Sequence, residues 1–66
     1  MKQIMITPKE YIGKDEKIAM DRAKNKGFVI RITERDGKAD MLTMDYRSDR
    51  INFKISNGIV IDAYGG

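Results

Sequence analysis

The chain has 66 residues, enough for one small domain, and it contains no cysteine and no histidine. These absences exclude disulfides, zinc fingers and iron–sulfur centres, so apolar packing and hydrogen bonds must stabilise the fold. The 13 basic and 10 acidic residues leave a formal net charge of +3. Because the two kinds of charge are interleaved rather than clustered, we expect no nucleic-acid partner.

The N-terminal segment from Met1 to Pro8 has no apolar stretch long enough for a signal peptide or a membrane span. We therefore expect a soluble protein that is cytoplasmic as synthesised and has no membrane partner, although secretion by another route stays open. Pro8 ends this segment because proline lacks a backbone donor and favours an extended residue before it. The residues from Ile4 to Ile6 are predicted to form a short edge strand.

A helix is predicted from Glu16 to Asn25. Asp15 suits the N-cap, and Glu16 lies in the first turn, where the helix dipole favours an acid. Gly27 is expected just after the helix, where a left-handed residue commonly ends it. The apolar side chains at helical spacing form a narrow stripe that needs a sheet to cover it: Ile18, Ala19 and Ala23, with Met20 as a residue that would widen it.

Apolar residues then alternate with polar ones in segments typical of strands. The first predicted strand runs from Phe28 to Thr33, the second from Ile51 to Ile55 and the third from Ile59 to Ala63. Phe28 and Phe53 are expected in the core. Asn57-Gly58, between the last two strands, predicts a tight antiparallel hairpin because both turn positions need positive φ.

The polar stretch from Glu34 to Asp49 separates the first two strands and contains Asp36-Gly37 and little that would pack. We expect one long loop, and loops of this length are usually either functional or disordered. If it crosses from one end of the sheet to the other, the two strands are parallel. The predicted fold class is therefore α+β. One helix packs on a small mixed sheet with a parallel central pair and an antiparallel hairpin, and an exposed extended loop on this base is suited to binding.

The segment LTMDYRSDRIN, from Leu42 to Asn52, resembles the reactive loop and following strand of the potato inhibitor I family of serine protease inhibitors. It also has features of the related bacterial and fungal elastase-inhibitor branch. Ile12-Gly13-Lys14 is similar to the segment that precedes the helix in this family, so the resemblance spans a single domain at 1–66. The loop residues that match the family pattern are Thr43, Met44, Asp45, Tyr46, Arg47 and Arg50.

The resemblance implies a substrate-like inhibitor of a subtilisin-like or chymotrypsin-like protease. Met44 is then the P1 residue that fills the S1 pocket, with Thr43 at P2 and Asp45 at P1′. Arg50 is expected to support the loop by bonding Thr43 and Asp45. Asn52 stands where the family usually has a second supporting arginine, so the loop is expected to be held less firmly. The implied partner-binding loop comprises Leu42, Thr43, Met44, Asp45, Tyr46 and Arg47.

Two other interpretations of the loop stay open. The chain is alternatively a small bacterial or phage protein that uses the same fold as a non-protease binding module and blocks a host factor. The absence of an export signal and of the second arginine motivates this alternative. In the other interpretation, Arg50 only pins a loop in a structural network. Tyr46 is either an interface anchor or a residue that packs against the sheet edge.

Catalysis is not expected, because Ser48 and Ser56 have no candidate base and the carboxylates are dispersed. No regular ligand spacing surrounds Asp36 and Asp40, and a glycine-rich phosphate loop is absent from the sequence. We therefore expect a monomeric, non-enzymatic protein with a protein partner, no cofactor and no metal site.

Overall fold

The computed structural model describes residues 7–42 and 45–66, in which one helix packs on a four-stranded mixed sheet. The sheet order is β2-β1-β3-β4, with β1 and β3 parallel and the other pairs antiparallel. This arrangement confirms the predicted α+β class. The predicted edge strand at Ile4 to Ile6 lies outside the described residues. The elements in chain order are a short 3₁₀ helix Pro8–Tyr11, α1 Glu16–Asn25, β1 Val29–Arg35, β2 Lys38–Ala39, β3 Arg50–Ser56 and β4 Ile59–Gly65.

Helix α1 begins and ends where its capping residues predict. The Asp15 carboxylate accepts hydrogen bonds from the backbone N–H groups of Lys17 and Ile18, at 3.0 and 3.2 Å. Gly27 follows the helix with φ of 91°, a left-handed conformation that glycine adopts without strain. Ile18 is exposed and only Ala19 and Ala23 of the stripe are fully buried, so the buried face is narrower than predicted. None of the described helices is long and apolar enough to cross a membrane.

The two central strands form the parallel pair that the loop crossing predicts, with Ile30 opposite Ile51 and Ile32 opposite Phe53. Strand β4 returns antiparallel beside β3 after the turn at Asn57-Gly58. Both turn residues have positive φ, at 51° and 75°, as the hairpin prediction required.

A second hairpin lies in the stretch that was predicted to be one long loop. Asp36 and Gly37 have φ of 52° and 82°, and they turn β1 back into the short strand β2. The prediction of an unbroken loop from Glu34 to Asp49 was therefore wrong in its first part. Asp-Gly supplies the same turn chemistry as Asn-Gly, and here it outweighs the low apolar content of the flanking residues. Between β2 and β3, the described residues 40–42 and 45–49 lie outside helices and strands.

The core lies between α1 and one face of the sheet, where Phe53 is fully buried as predicted. Tyr11, which the sequence analysis left unassigned, is also buried, and its ring centroid lies 5.6 Å from that of Phe53. Phe28 precedes β1 and is only partly buried at the core edge. The buried apolar residues are Tyr11, Ala19, Ala23, Ile51, Phe53, Ile55, Val60 and Ala63.

Candidate functional site

The residues of the predicted binding loop are exposed where the structure describes them. Leu42 and Tyr46 expose 41% and 78% of their surface, and Asp45 and Arg47 are exposed beside them. Thr43 and Met44, the predicted P2 and P1 residues, lie outside the described residues. The predicted bond between Arg50 and Thr43 therefore stays a prediction. The described part of the loop offers side chains to solvent at both ends of the Thr43-Met44 pair.

Arg50, the first residue of β3, lies beneath the loop and is only 6% exposed. Its Nη2 atom donates to the backbone carbonyl of Asp45 at 2.5 Å, and its Nη1 atom lies 3.4 Å from Asp45 Oδ2. The predicted contact between Arg50 and Asp45 is thus present, and it includes both the main chain and the side chain of the acid. A charge-assisted bond to the main chain fixes the loop itself as well as one side chain.

Gly66 forms a further anchor for the loop that the sequence analysis did not identify. Its carbonyl accepts hydrogen bonds from Arg50 Nη2 at 2.8 Å and from the Arg47 backbone N–H at 3.2 Å. Its own N–H donates to the Arg50 carbonyl at 3.1 Å. A Cβ atom added to Gly66 would lie 3.5 Å from the Tyr46 ring. The segment after β4 therefore lies beside Tyr46, Arg47 and Arg50.

Asn52 is fully buried two residues further along β3, on the same face of the sheet as Arg50. Its Oδ1 atom accepts a hydrogen bond from Arg31 Nε at 2.8 Å. Arg31 belongs to β1 and was not identified as a site residue from the sequence. Its Nη1 atom lies 3.9 Å from Asp45 Oδ1, so the Asp45 carboxylate lies between two guanidinium groups. Asn52 is itself uncharged, but the guanidinium of Arg31 that it binds lies close to the Asp45 carboxylate.

Arg47 pairs locally instead of joining the network below the loop. Its Nε and Nη2 atoms donate to the two carboxylate oxygens of Asp49, at 3.0 and 2.8 Å. These hydrogen bonds lower the pKa of Asp49 and raise the pKa of Arg47. Both side chains are about half exposed, at 47% and 48%, so solvent screens the pair and its contribution to stability is small.

The polar contacts at this site are hydrogen bonds and ion pairs that restrain the loop around Asp45. The Nε atom of Arg50 is buried and has no hydrogen-bond partner among the described residues. Over residues 7–42 and 45–66, no group of three or more acidic side chains is arranged to hold a metal ion. The two guanidinium groups instead contact the Asp45 carboxylate, and Arg50 also bonds the backbone at residue 45.

Comparisons of this chain with protein-family models, with curated proteins and with solved structures found no significant match. The resemblance to the potato inhibitor I family therefore stays a prediction that depends on the residues between 42 and 52.

Proposed function

We propose that this protein is a substrate-like serine protease inhibitor that presents the loop at 42–47 to a subtilisin-like or chymotrypsin-like enzyme. The observation that carries the proposal is the buried Arg50, which binds Asp45 at both its carbonyl and its carboxylate. A buried arginine that binds an exposed loop restrains the conformation of that loop. Substrate-like inhibition is a function that needs a loop of that kind.

The physical requirement is preorganisation of the loop before it binds. Ordering a flexible segment costs on the order of 1–2 kcal/mol per residue, which would cancel much of the interaction energy with an enzyme. Bonds from Arg50 and Gly66 to residues 45 and 47 reduce this cost in the unbound protein. After cleavage, the same bonds would keep the new amine of Asp45 beside the acyl-enzyme, where it can religate.

The proposed specificity depends on Met44. In this proposal its flexible apolar side chain enters the S1 pocket, which suits subtilisin-like and chymotrypsin-like enzymes better than trypsin-like ones. Asp45 then follows the scissile bond and stays bound to Arg50. Leu42, Thr43, Tyr46 and Arg47 contact the enzyme on either side.

In this proposal the protein binds its partner and carries out no catalysis of its own. The absence of His and Cys from the sequence supports this role, because it removes the commonest general base and one of the commonest nucleophiles.

A protein partner that is not a protease is the second candidate. Met41 is fully exposed and Tyr46 is 78% exposed, and both could contact an apolar surface on any partner without use of the Met44–Asp45 bond. Capture experiments from a cytoplasmic extract would separate the two candidates, because the second candidate predicts a specific partner that has no protease activity.

The test of the proposal is a titration of subtilisin and chymotrypsin with the purified protein, followed by mass spectrometry over hours. We expect inhibition at or below micromolar concentration, with slow cleavage confined to the Met44–Asp45 bond. Met44→Lys should shift inhibition from chymotrypsin toward trypsin, whose S1 pocket binds a cation. Met41→Lys makes the same chemical change just outside the 42–47 loop and should leave the specificity unchanged. If the intact protein inhibits neither subtilisin nor chymotrypsin, the proposal is refuted.

A further inference from the structure

We propose that Arg31 is a second positioning residue of the loop, held in place by Asn52 so that its guanidinium faces the Asp45 carboxylate. This inference rests on the proposed function for its biological meaning, but the contacts that carry it are independent of any protease. It assigns a role to Arg31 and Asn52, which lie on neighbouring strands.

Strand register brings Arg31 and Asn52 together. They are directly opposite each other in the parallel pair of β1 and β3, so their side chains leave the same face of the sheet. The hydrogen bond from Arg31 Nε to Asn52 Oδ1 is 2.8 Å long, which is a well-formed bond. It uses the inner nitrogen of the guanidinium, and Nη1 lies further out, 3.9 Å from Asp45 Oδ1.

Burial makes Asn52 a fixed support for Arg31. A buried amide is unfavourable unless its polar atoms are hydrogen-bonded. Asn52 is fully buried, and its Nδ2 atom donates to the Tyr64 carbonyl at a long 3.4 Å. With that side of the amide facing β4, Oδ1 is directed to Arg31. The side chain of Arg31 is 22% exposed, so its charge is screened less than that of a surface arginine.

The two arginines act on different oxygens of one carboxylate. Arg50 Nη1 is 3.4 Å from Asp45 Oδ2, whereas Arg31 Nη1 is 3.9 Å from Oδ1. A single cation would leave the carboxylate able to rotate about its bond to Cβ. Contacts from β1 and from β3 restrain it from two directions, and residue 45 is expected to lose mobility accordingly.

The experiment compares Arg31→Ala with a matched control, Arg35→Ala. Arg35 is on the same strand and carries the same charge, but it pairs with Glu16 of α1 at 2.8 Å. A rescue variant, Arg31→Ala with Asn52→Arg, returns a guanidinium to the same face from the adjacent strand, about 5 Å away. The first readout is NMR relaxation of the backbone amides at 45–47 in the absence of protease, and the second is the rate at which subtilisin cleaves the loop.

We expect Arg31→Ala to lower the order parameters at 45–47 and to raise the cleavage rate about two- to fivefold, the effect of losing one partly exposed ion pair. Arg35→Ala should change neither readout, and the rescue variant should recover most of both. Loop order in Arg31→Ala that is indistinguishable from that in Arg35→Ala would overturn the inference.

Failure of the proposed function can be told apart from failure of this inference. If the unmodified protein inhibits no protease, the relaxation comparison alone decides the role of Arg31. If Arg31→Ala does not fold, Arg31→Gln retains a polar side chain of similar reach without the charge. The same loss of order at 45–47 is then expected, and its absence contradicts the inference.

Discussion

Arg50 shows how one charged residue can be buried in a small domain and still be useful there. Removing a guanidinium from water is unfavourable unless its donors find acceptors. Its Nη atoms bond the carbonyls of Asp45 and Gly66 and contact the Asp45 carboxylate. Because two of these acceptors belong to the backbone, the side chain fixes the path of the chain before and after it.

Replacing Arg50 should therefore weaken both the fold and the loop. We expect Arg50→Ala to lower the free energy of unfolding by about 1–3 kcal/mol, because charged hydrogen bonds to the backbone are lost. The exposed Asp45 carboxylate can still be solvated, which keeps the loss from being larger. Urea unfolding measures the stability, and mass spectrometry with subtilisin should show faster cleavage of the loop.

Arg47→Ala is the control for this change. Its guanidinium pairs with Asp49 at the surface, where ion pairs contribute little. The free energy of unfolding should stay close to that of the unmodified protein. Equal losses of stability in the two variants would contradict the role given to Arg50.

At the scale of elements, local chemistry made much of the fold predictable. Asp15 and Gly27 define the ends of α1, and Asn57-Gly58 defines the β3–β4 hairpin, because each acts through its own backbone geometry. The hairpin at Asp36-Gly37 carried the same signal and was missed because its flanking strands are short and polar. Its turn is also tied to the other one, since Asp36 Oδ1 accepts from the Asn57 N–H at 2.8 Å.

The candidate site was less predictable than the fold. Arg50 could be identified because it matches a motif within the loop sequence. Arg31 and Gly66 could not be identified in this way, because strand pairing brings them to the loop from distant parts of the chain. Sequence spacing carries no direct information on such contacts when the register of the sheet is unknown.

The contact between α1 and β1 predicts a specific pH dependence. Two hydrogen bonds from Arg35, at 2.8 and 2.9 Å, lower the pKa of Glu16 below its ordinary 4.5. A carboxylate whose pKa is lower in the folded state stabilises that state above its unfolded pKa, and this contribution is lost as the pH falls through the folded pKa. The melting temperature should therefore decrease when the pH is lowered below about 4.5.

Glu16→Gln tests this expectation, because it should make the melting temperature less sensitive to pH in the acidic range. Asp21→Asn removes an exposed carboxylate from the same helix and serves as the control. Melting followed by circular dichroism at a series of acidic pH values gives the comparison. An unchanged pH dependence in Glu16→Gln would show that the pair with Arg35 does not contribute in this way.

For the whole molecule, strand β3 links the core to the candidate site. Ile51, Phe53 and Ile55 face α1, whereas Arg50 and Asn52 leave the opposite face of the same strand. The residues that support the loop are thus held in place by the packing that stabilises the domain. A chain of 66 residues without disulfides can in this way give an exposed loop a rigid base.

In the proposed function, the loop binds like a substrate and its two cleaved ends stay together. The most direct test starts from protein already cleaved at Met44–Asp45 and incubates it with catalytic amounts of subtilisin. If the loop binds like a substrate, intact protein should re-form, and the ratio of intact to cleaved chain should reach the same value from either starting material. If the cleaved chain stays cleaved while intact protein is digested to completion, the protein is not a substrate-like inhibitor.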